Sequence, residues 1–309
     1  MASQNERRSI EWINELAVQS PQELVALSEQ LYREQIERAA QGIAAGQGEF
    51  TVLLVSGPSA STKTTTSLKL SQRLEELGIR SVVISLDDFF VDRRTLPRLP
   101  NGDTDFESIA TVDLPELDRC LGKLLADREA DFPISDFPQG RPSSQRRHIS
   151  IGEGSLMIME GIHALNPAIT GKQDPSDFRR VYISPNSDYY LGEERILKAR
   201  LIRLTRRIVR DFFHRGNPVE NTLRMWGNVV DSEKVNILPF KKEADFIIDS
   251  TVLYEPAIYG YWLDRILDQS VIGERYLPQL QELISALDRF HPLSPDLVPA
   301  DTVLREFLR

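Results

Sequence analysis

The sequence has few of the features that mark secreted or membrane proteins. Its single cysteine, Cys120, excludes a disulfide within the chain, which favours a reducing compartment. No stretch approaches the ~18 apolar residues of a membrane-spanning helix, and the opening residues MASQNERRSIEW lack the apolar core of a signal peptide. We therefore expect a cytoplasmic protein that does not bind a membrane.

Surplus positive charge and metal-ligand spacing are also missing. The chain has 37 Lys and Arg against 46 Asp and Glu, so its composition does not indicate nucleic-acid binding. Any phosphate-binding surface must then be a local basic patch. The four histidines are too scattered for a zinc site, and we expect structural roles for them.

What is present predicts an α/β fold. Five short apolar runs rich in β-branched residues alternate with helical segments and long loops, at residues 51–56, 81–86, 155–159, 180–184 and 245–249. This order is typical of a doubly wound, mostly parallel sheet, with ligands at the carboxyl ends of the strands. Two further expectations are an irregular segment over 131–153, where prolines recur, and one long helix over 189–213.

The first strand leads into the sequence GPSASTKT, residues 57–64. This stretch follows the phosphate-binding P-loop pattern G-x-x-x-x-G-K-[ST], except that Thr62 stands at the second glycine. In such a loop Lys63 would reach the terminal phosphates and the Thr64 hydroxyl would bind Mg²⁺. The alternative is a turn that merely joins a strand to a helix. The pattern predicts a P-loop NTPase.

Carboxylates follow two more of the predicted strands. Asp87 and Asp88 come after SVVISL, and Glu160 comes after SLMIM. Near a P-loop, one carboxylate can accept a proton from an attacking hydroxyl and another can hold Mg²⁺. Asp at a strand end can also cap the next turn, and for Asp88 both interpretations stay open.

A helix over 195–210 carries seven cations and no acid. Four of its arginines lie on one face: Arg203, Arg206, Arg207 and Arg210. A charge run usually forms a solvated face with ion pairs four residues apart, but here no acid within the run can provide them. The pattern favours unpaired guanidiniums that bind phosphate over a solvated face.

With the loop, SLDDFF, the Glu-Gly pair at 160–161 and RLTRRIVRDFFHRG in place, the chain resembles the uridine kinase/phosphoribulokinase family of P-loop kinases. It looks most similar to bacterial uridine kinase-like nucleoside kinases, without their TGS domain. Apolar residues at helical spacing over 9–45 predict a helical N-terminal extension over 1–48, and the resemblance implies a kinase core over 49–254 with a lid around 195–230. A C-terminal helical segment over 255–309 would pack on that core.

The resemblance also implies roles for individual residues. Asp87 matches the catalytic base, and Lys63, Arg206 and Arg210 match groups that act on the transferred phosphate. The residues implied to bind ATP are Gly57, Ser59, Ala60, Ser61, Thr62, Lys63, Thr64, Thr65, Arg203 and Arg215. Those implied to hold Mg²⁺ are Thr64 and Glu160, and those implied to contact the acceptor are Asp87, Asp105 and Phe137.

The expected reaction is ATP- and Mg²⁺-dependent phosphorylation of a small-molecule hydroxyl, with the 5′-hydroxyl of a pyrimidine nucleoside favoured. Two departures keep alternatives open. The segment ISDFPQGRPSS has Ser135 and Gly140 near the places of the family's base-reading Tyr and His, which allows another small hydroxyl acceptor. Thr62 allows a nucleotide-binding protein with impaired catalysis. Partners beyond ATP and the acceptor are not indicated, and a homo-oligomer is left open.

Overall fold

The computed structural model describes residues 7–99, 101–136 and 139–308. In chain order the strands are β1 (Arg7–Ser9), β2 (Val52–Ser56), β3 (Ser81–Ser85), β4 (Glu129–Asp136), β5 (Arg141–Ser150), β6 (Leu156–Glu160), β7 (Phe178–Ser184), β8 (Asp188–Leu191), β9 (Glu194–Leu197) and β10 (Phe246–Asp249). The α-helices are α1 (Ile10–Gln19), α2 (Pro21–Ala45), α3 (Lys63–Glu76), α4 (Leu114–Asp127), α5 (Pro167–Thr170), α6 (Ala199–Arg215), α7 (Val219–Asn236), α8 (Glu255–Leu267) and α9 (Leu277–Leu287).

Five strands form a parallel sheet in the order β10-β7-β2-β6-β3. Every residue of β2 and β6 is buried, as expected for inner parallel strands that are covered on both faces. After β2 the chain first builds the β6–β3 side of the sheet and then crosses to the β7–β10 side. The carboxyl end of β2 is therefore the point where a ligand crevice forms in such sheets. The predicted fold class is confirmed.

The sheet separates two hydrophobic clusters because alternate residues of a strand face opposite sides. Leu53 and Val55 of β2 pack into a cluster with α1, α2, α3, α6, α7, α8 and α9. Val52 and Leu54 face the other way, into a cluster with α4 and the β4–β5 hairpin. The first cluster includes residues from both ends of the described chain. The boundaries at 48/49 and 254/255 stay predictions.

Helix α2 is attached to the edge of the sheet by polar side chains. The Gln35 Oε1 atom accepts from the backbone N–H of Asp249 at 2.7 Å, and its Nε2 donates to the Asp249 carbonyl at 2.9 Å. Asp249 ends β10, an edge strand of the sheet, so Gln35 occupies backbone groups that another strand would otherwise pair with. The Ser28 Oγ accepts from the backbone N–H of Leu253 at 2.8 Å. These contacts fix α2 relative to the sheet.

The expectation of an irregular segment over 131–153 is wrong. β4 and β5 pair there as an antiparallel hairpin, with a register shift between Pro133 and Ser135. In a two-stranded ribbon each strand has a free edge, so a proline can sit there without removing a ladder hydrogen bond. The prolines therefore restrict how the two strands pair, and they do not exclude a strand.

The expectation of one long helix over 189–213 is also wrong. The chain forms β8 and β9, turns at Gly192 with φ 58°, and only then enters α6 at Ala199. β8 pairs in parallel with β1, so a partner far away in the sequence overrides the local helical pattern.

Among the described helices none is long and apolar enough to cross a membrane.

Candidate active site

A cleft of about 800 Å³ opens where β2, β3 and β6 end. Lys63 and Thr64 stand at the start of α3, Asp87 follows β3, and Glu160 is the last residue of β6. All four line this cleft. The structure therefore brings together a loop and two strand-end carboxylates that are spread over residues 57–160 of the sequence.

The P-loop runs closely against the end of β7. A Cβ atom added at Gly57 would lie 1.9 Å from the Ile183 carbonyl oxygen, so only glycine fits there. Two residues of the loop have left-handed backbones without being glycine, Ala60 at φ 60° and Thr62 at φ 67°. Such a conformation is uncommon for a β-branched residue. The loop thus keeps the left-handed turn at the position where its motif expects glycine.

Side chains behind the loop hold its carbonyl groups. Arg203 Nη1 donates to the Ser59 carbonyl at 3.2 Å and Arg206 Nη1 donates to the Ala60 carbonyl at 3.3 Å. Ser250 Oγ donates to the Ser61 carbonyl at 3.0 Å. The C=O and N–H of a trans peptide unit point in opposite directions, so the following N–H groups point away from these donors. A loop held this way presents backbone donors to an anion.

Lys63 and Thr64, at the end of the loop, are each held by a hydrogen bond. Lys63 Nζ donates to the Pro58 carbonyl at 3.1 Å, so the ammonium lies over the loop. Thr64 Oγ1 donates to Glu160 Oε1 at 3.1 Å. Burial lowers the pKa of Lys63, and the negative charge of Glu160 opposes that shift. Cation, hydroxyl and carboxylate thus all line the cleft at the end of the loop.

The two strand-end carboxyl groups affect each other. Burial raises the pKa of Asp87 to about 6, the charge of Glu160 adds to the shift, and Lys63 opposes it. Burial likewise raises the pKa of Glu160. These shifts bring the pKa of Asp87 closer to neutral pH, where a general base works best.

Asp88 has a structural role. Its Oδ1 accepts from the backbone N–H of Ser135 at 3.3 Å, and its Oδ2 accepts from Arg147 Nη2 at 3.2 Å. Both partners belong to the β4–β5 hairpin. Neither contact caps the turn after β3, so Asp88 holds the hairpin against the end of β3 instead of filling either role that the sequence offered.

The expectation of unpaired arginines on one face of α6 is wrong for all four, and two of them pair with acids of other helices. Arg203 Nη1 and Nη2 donate to Glu233 at 2.5 and 2.7 Å, and Arg206 Nε and Nη2 donate to Glu255 at 2.5 and 2.7 Å. The acids come from α7 and α8, so spacing within α6 could not reveal them. Arg206 is fully buried, and we assign it to support of the loop instead of the predicted catalytic contact with phosphate.

Three further arginines of this helix surround Asp211. Arg207 Nε lies 3.4 Å, Arg210 Nη2 2.8 Å and Arg215 Nη1 3.4 Å from its carboxylate oxygens. Glu107 lies 3.5 Å from Arg207. All five residues line the cleft. Three guanidiniums with two carboxylates leave a net positive charge in this group, and Arg207 Nη1 donates to Ser59 Oγ of the P-loop at 3.0 Å.

The predicted acceptor contacts are not all brought together. Asp105 lines an adjoining pocket of about 210 Å³ together with Arg224, and its Oδ1 accepts from the backbone N–H of Glu107 at 3.1 Å. Phe137 lies outside the described residues. Ser135 Oγ donates to the Asp87 carbonyl at 2.8 Å, so this hydroxyl positions the candidate base.

Sequence reasoning missed Glu306 and Tyr32. Glu306 lines the cleft, and its Oε2 accepts from Thr65 Oγ1 at 2.8 Å. The Tyr32 hydroxyl lies 2.7 Å from Thr66 Oγ1. Both residues come from terminal helical segments without a motif of their own, so no spacing in the sequence indicates their contact with α3.

Residues 52–254 match the model of the Phosphoribulokinase / Uridine kinase family. The chain belongs to this family. The match covers the P-loop, both strand-end carboxylates and all of α6, and it confirms the resemblance seen in the sequence. Tyr32, Glu255 and Glu306 lie outside the matched residues.

The chain is also similar to individual proteins. The chain is 26% identical over 202 residues to a uridine kinase from Staphylococcus epidermidis, which covers 65% of this chain and 87% of the relative. It is 25% identical over 199 residues to a uridine kinase from Ligilactobacillus salivarius, covering 64% and 84%. A solved structure described as a possible uridine kinase from Bacillus stearothermophilus is 21% identical, with a TM-score of 0.48 and coverage of 70% and 98%.

Proposed function

We propose that this member of the family transfers the γ-phosphoryl group of ATP to a hydroxyl group of a small molecule. The observation that supports it is the meeting of Lys63, Thr64, Asp87 and Glu160 in one cleft at the carboxyl edge of the sheet. Phosphoryl transfer needs little covalent chemistry from the protein, and it depends on positioning and on charge stabilisation. This arrangement provides both.

ATP would bind with its phosphates on the P-loop. The N–H groups after Ser59, Ala60 and Ser61 point away from α6 and suit phosphate oxygens. Lys63 adds a cation at the end of the loop. Arg210 and Arg215 would neutralise phosphate charge, because both line the cleft and share one carboxylate, Asp211.

The residues near Thr64 fit Mg²⁺. The Glu160 carboxylate is 6% exposed and accepts from the Thr64 hydroxyl, and carboxylate and hydroxyl oxygens are suitable ligands for this ion. Bound Mg²⁺ would offset the negative charge of the phosphates. Thr64 and Glu160 are the residues that would hold it, the first directly and the second directly or through water.

Asp87 is the proposed general base. The ionised carboxylate would accept the proton of the acceptor hydroxyl as that oxygen bonds to phosphorus and the bond to the ADP leaving oxygen breaks. Its raised pKa improves the match to a proton acceptor at neutral pH. The contact from Ser135 Oγ to its carbonyl fixes the backbone that carries it.

The first candidate acceptor is the 5′-hydroxyl of a pyrimidine nucleoside, since the relatives named above are uridine kinases. One observation favours a second candidate, another small hydroxyl compound. Ser135, near the place of the family's base-reading residue, is engaged with Asp87. Arg93 and Phe106 line the same cleft as Asp87 and offer a cation and an aromatic ring to an acceptor.

The test is a coupled assay of ADP formation with Mg²⁺ and ATP across nucleosides, sugars and sugar acids. We expect turnover that an acceptor stimulates, and loss of that turnover in Asp87→Asn. The compound that responds at the lowest concentration identifies the acceptor class. Binding of ATP without turnover for any acceptor would replace the proposal with the nucleotide-binding alternative that Thr62 suggests.

A further inference from the structure

Thr62 is held in an unusual conformation in the middle of the phosphate-binding loop. Its backbone has φ 67° and ψ 26°, and its side chain is fully buried. In the motif this position belongs to glycine, which adopts positive φ without steric strain. A threonine there needs contacts that hold it in place, and the structure shows what they are.

Three buried hydroxyl groups connect this residue to the N-terminal extension. The Tyr32 hydroxyl lies 2.7 Å from Thr66 Oγ1, and Thr66 Oγ1 lies 3.1 Å from Thr62 Oγ1. Thr62 Oγ1 in turn donates to the Ser61 carbonyl at 2.5 Å. Tyr32 is 2% exposed, and both threonines are fully buried.

The direction of the hydrogen bonds follows from counting protons. Each hydroxyl has one proton to donate. Thr62 uses its proton on the Ser61 carbonyl, so it must accept from Thr66. Thr66 then has none left, so it must accept from Tyr32. The chain runs Tyr32, Thr66, Thr62, Ser61, and it starts at a phenol.

The surroundings of Tyr32 suit that role. The contacts of Ser28 and Gln35 with the segment around β10 fix α2 on either side of Tyr32 along the chain. Burial raises the pKa of Tyr32 above its usual value, so the phenol keeps the proton that the chain requires. Burial also keeps out water that would compete for these hydroxyls.

We propose that Tyr32 is a positioning residue for the P-loop: through Thr66 it holds Thr62 in the left-handed conformation that directs the loop N–H groups to phosphate. The helical extension before the family-matched region thus completes the nucleotide site in place of the missing glycine. This inference rests on the proposed function, because it concerns binding of ATP by the same loop.

A double-mutant cycle tests it. Affinity of the full chain for a non-hydrolysable ATP analogue with Mg²⁺ is measured by calorimetry for wild type, Tyr32→Phe, Thr62→Gly and the double variant. We expect Tyr32→Phe to weaken binding about fivefold, the equivalent of one buried hydrogen bond of about 1 kcal/mol. In the Thr62→Gly background the same change should alter affinity less than twofold, because glycine needs no such support.

Two further comparisons separate positioning from folding. Tyr254→Phe removes another buried phenol that bonds to Glu29 of the same helix α2, and it should lower thermal stability without changing analogue affinity. Thr62→Val keeps the branched shape without the hydroxyl and should weaken binding as Tyr32→Phe does, whereas Thr62→Ser should stay close to wild type. These Thr62 variants also keep the test decisive if Tyr32→Phe folds poorly.

Wild-type affinity in Tyr32→Phe, or the same loss in both backgrounds, would overturn the inference while leaving the proposed function in place. No binding by wild type would overturn the proposed function, and this inference with it.

Discussion

Arg206 and Glu255 form a bidentate ion pair in which neither side chain is exposed, with Nε to Oε1 at 2.5 Å and Nη2 to Oε2 at 2.7 Å. The same guanidinium donates to the Ser250 carbonyl at 2.7 Å and to the Ala60 carbonyl at 3.3 Å. Four of its five N–H groups are thus used inside the protein. The pair links α6, α8 and the back of the P-loop.

Arg206→Ala should therefore destabilise the fold. Removing one partner leaves Glu255 buried without its counter-charge, which costs about 3–5 kcal/mol. We expect a clearly lower urea midpoint and a lower Tm. Arg210→Ala is the matched comparison on the same helix: its side chain lines the cleft at 12% exposure, so the change should reduce kcat/KM with little effect on the midpoint. If Arg206→Ala had wild-type stability but no turnover, the result would instead support the contact with phosphate that the sequence predicted for Arg206.

Lys63 and Asp87 should fail in different ways when they are changed. Lys63→Ala removes a cation from the loop and should weaken ATP binding, measured by calorimetry. Asp87→Asn keeps the shape but cannot take up a proton, so ATP should bind nearly as in wild type while kcat falls about 10²–10⁴-fold. Asp88→Asn is the control at the neighbouring position and should retain most turnover, because Asp88 contacts the hairpin. Full turnover in Asp87→Asn would show that another group is the base.

Asp87 should also reduce stability above neutral pH. Its pKa is raised from 3.8 to about 6 in the folded protein, so the folded state holds the proton more tightly than the unfolded chain. The stabilisation from that proton is complete below pH 3.8 and is lost as pH rises through about 6. Asp87→Asn, which cannot ionise, should gain stability relative to wild type at pH 8, on the order of 1–3 kcal/mol.

Urea unfolding of both proteins at pH 8 and pH 4.5 measures this difference. The advantage of the Asn variant should shrink at the lower pH, where Asp87 is protonated. If Asp87→Asn were more stable than wild type by the same amount at both pH values, ionisation of Asp87 would not be the cause of the difference.

The parts of the site that the sequence predicted are those with local signals. The apolar run of β2, the loop at Gly57 and the carboxylates at 87 and 160 each follow from a short stretch and from where parallel strands end. The partners of these groups come from far along the chain. Glu233 and Glu255 meet α6 from α7 and α8, and nothing in their own surroundings marks them as acids that would pair with arginine.

The same reason explains the errors in secondary structure. β8 is fixed by pairing with β1, which lies about 180 residues earlier, while its own sequence runs on smoothly into a helical pattern. The β4–β5 hairpin contains prolines that usually argue against strands, yet its free edges tolerate them. In both places pairing between strands determined the secondary structure, against the local preference of the sequence.

Glu306 is a carboxylate at the phosphate end of the cleft, and its neutralisation should strengthen nucleotide binding. Its Oε2 accepts from Thr65 Oγ1 at 2.8 Å, next to Lys63 and Thr64 at the start of α3, where ATP phosphates would lie. Like charges repel in a partly buried site, and added salt screens the repulsion. Glu306→Gln keeps an acceptor for Thr65, so the change isolates the charge. We expect about 3–10-fold tighter binding of ATP at low salt, with a smaller gain at high salt.

Asp301→Asn makes the same charge change at an exposed position of the same C-terminal segment and should leave the affinity unchanged. Weaker binding in Glu306→Gln would show that the carboxylate orients Thr65 toward the nucleotide, with a contribution larger than its repulsion of phosphate.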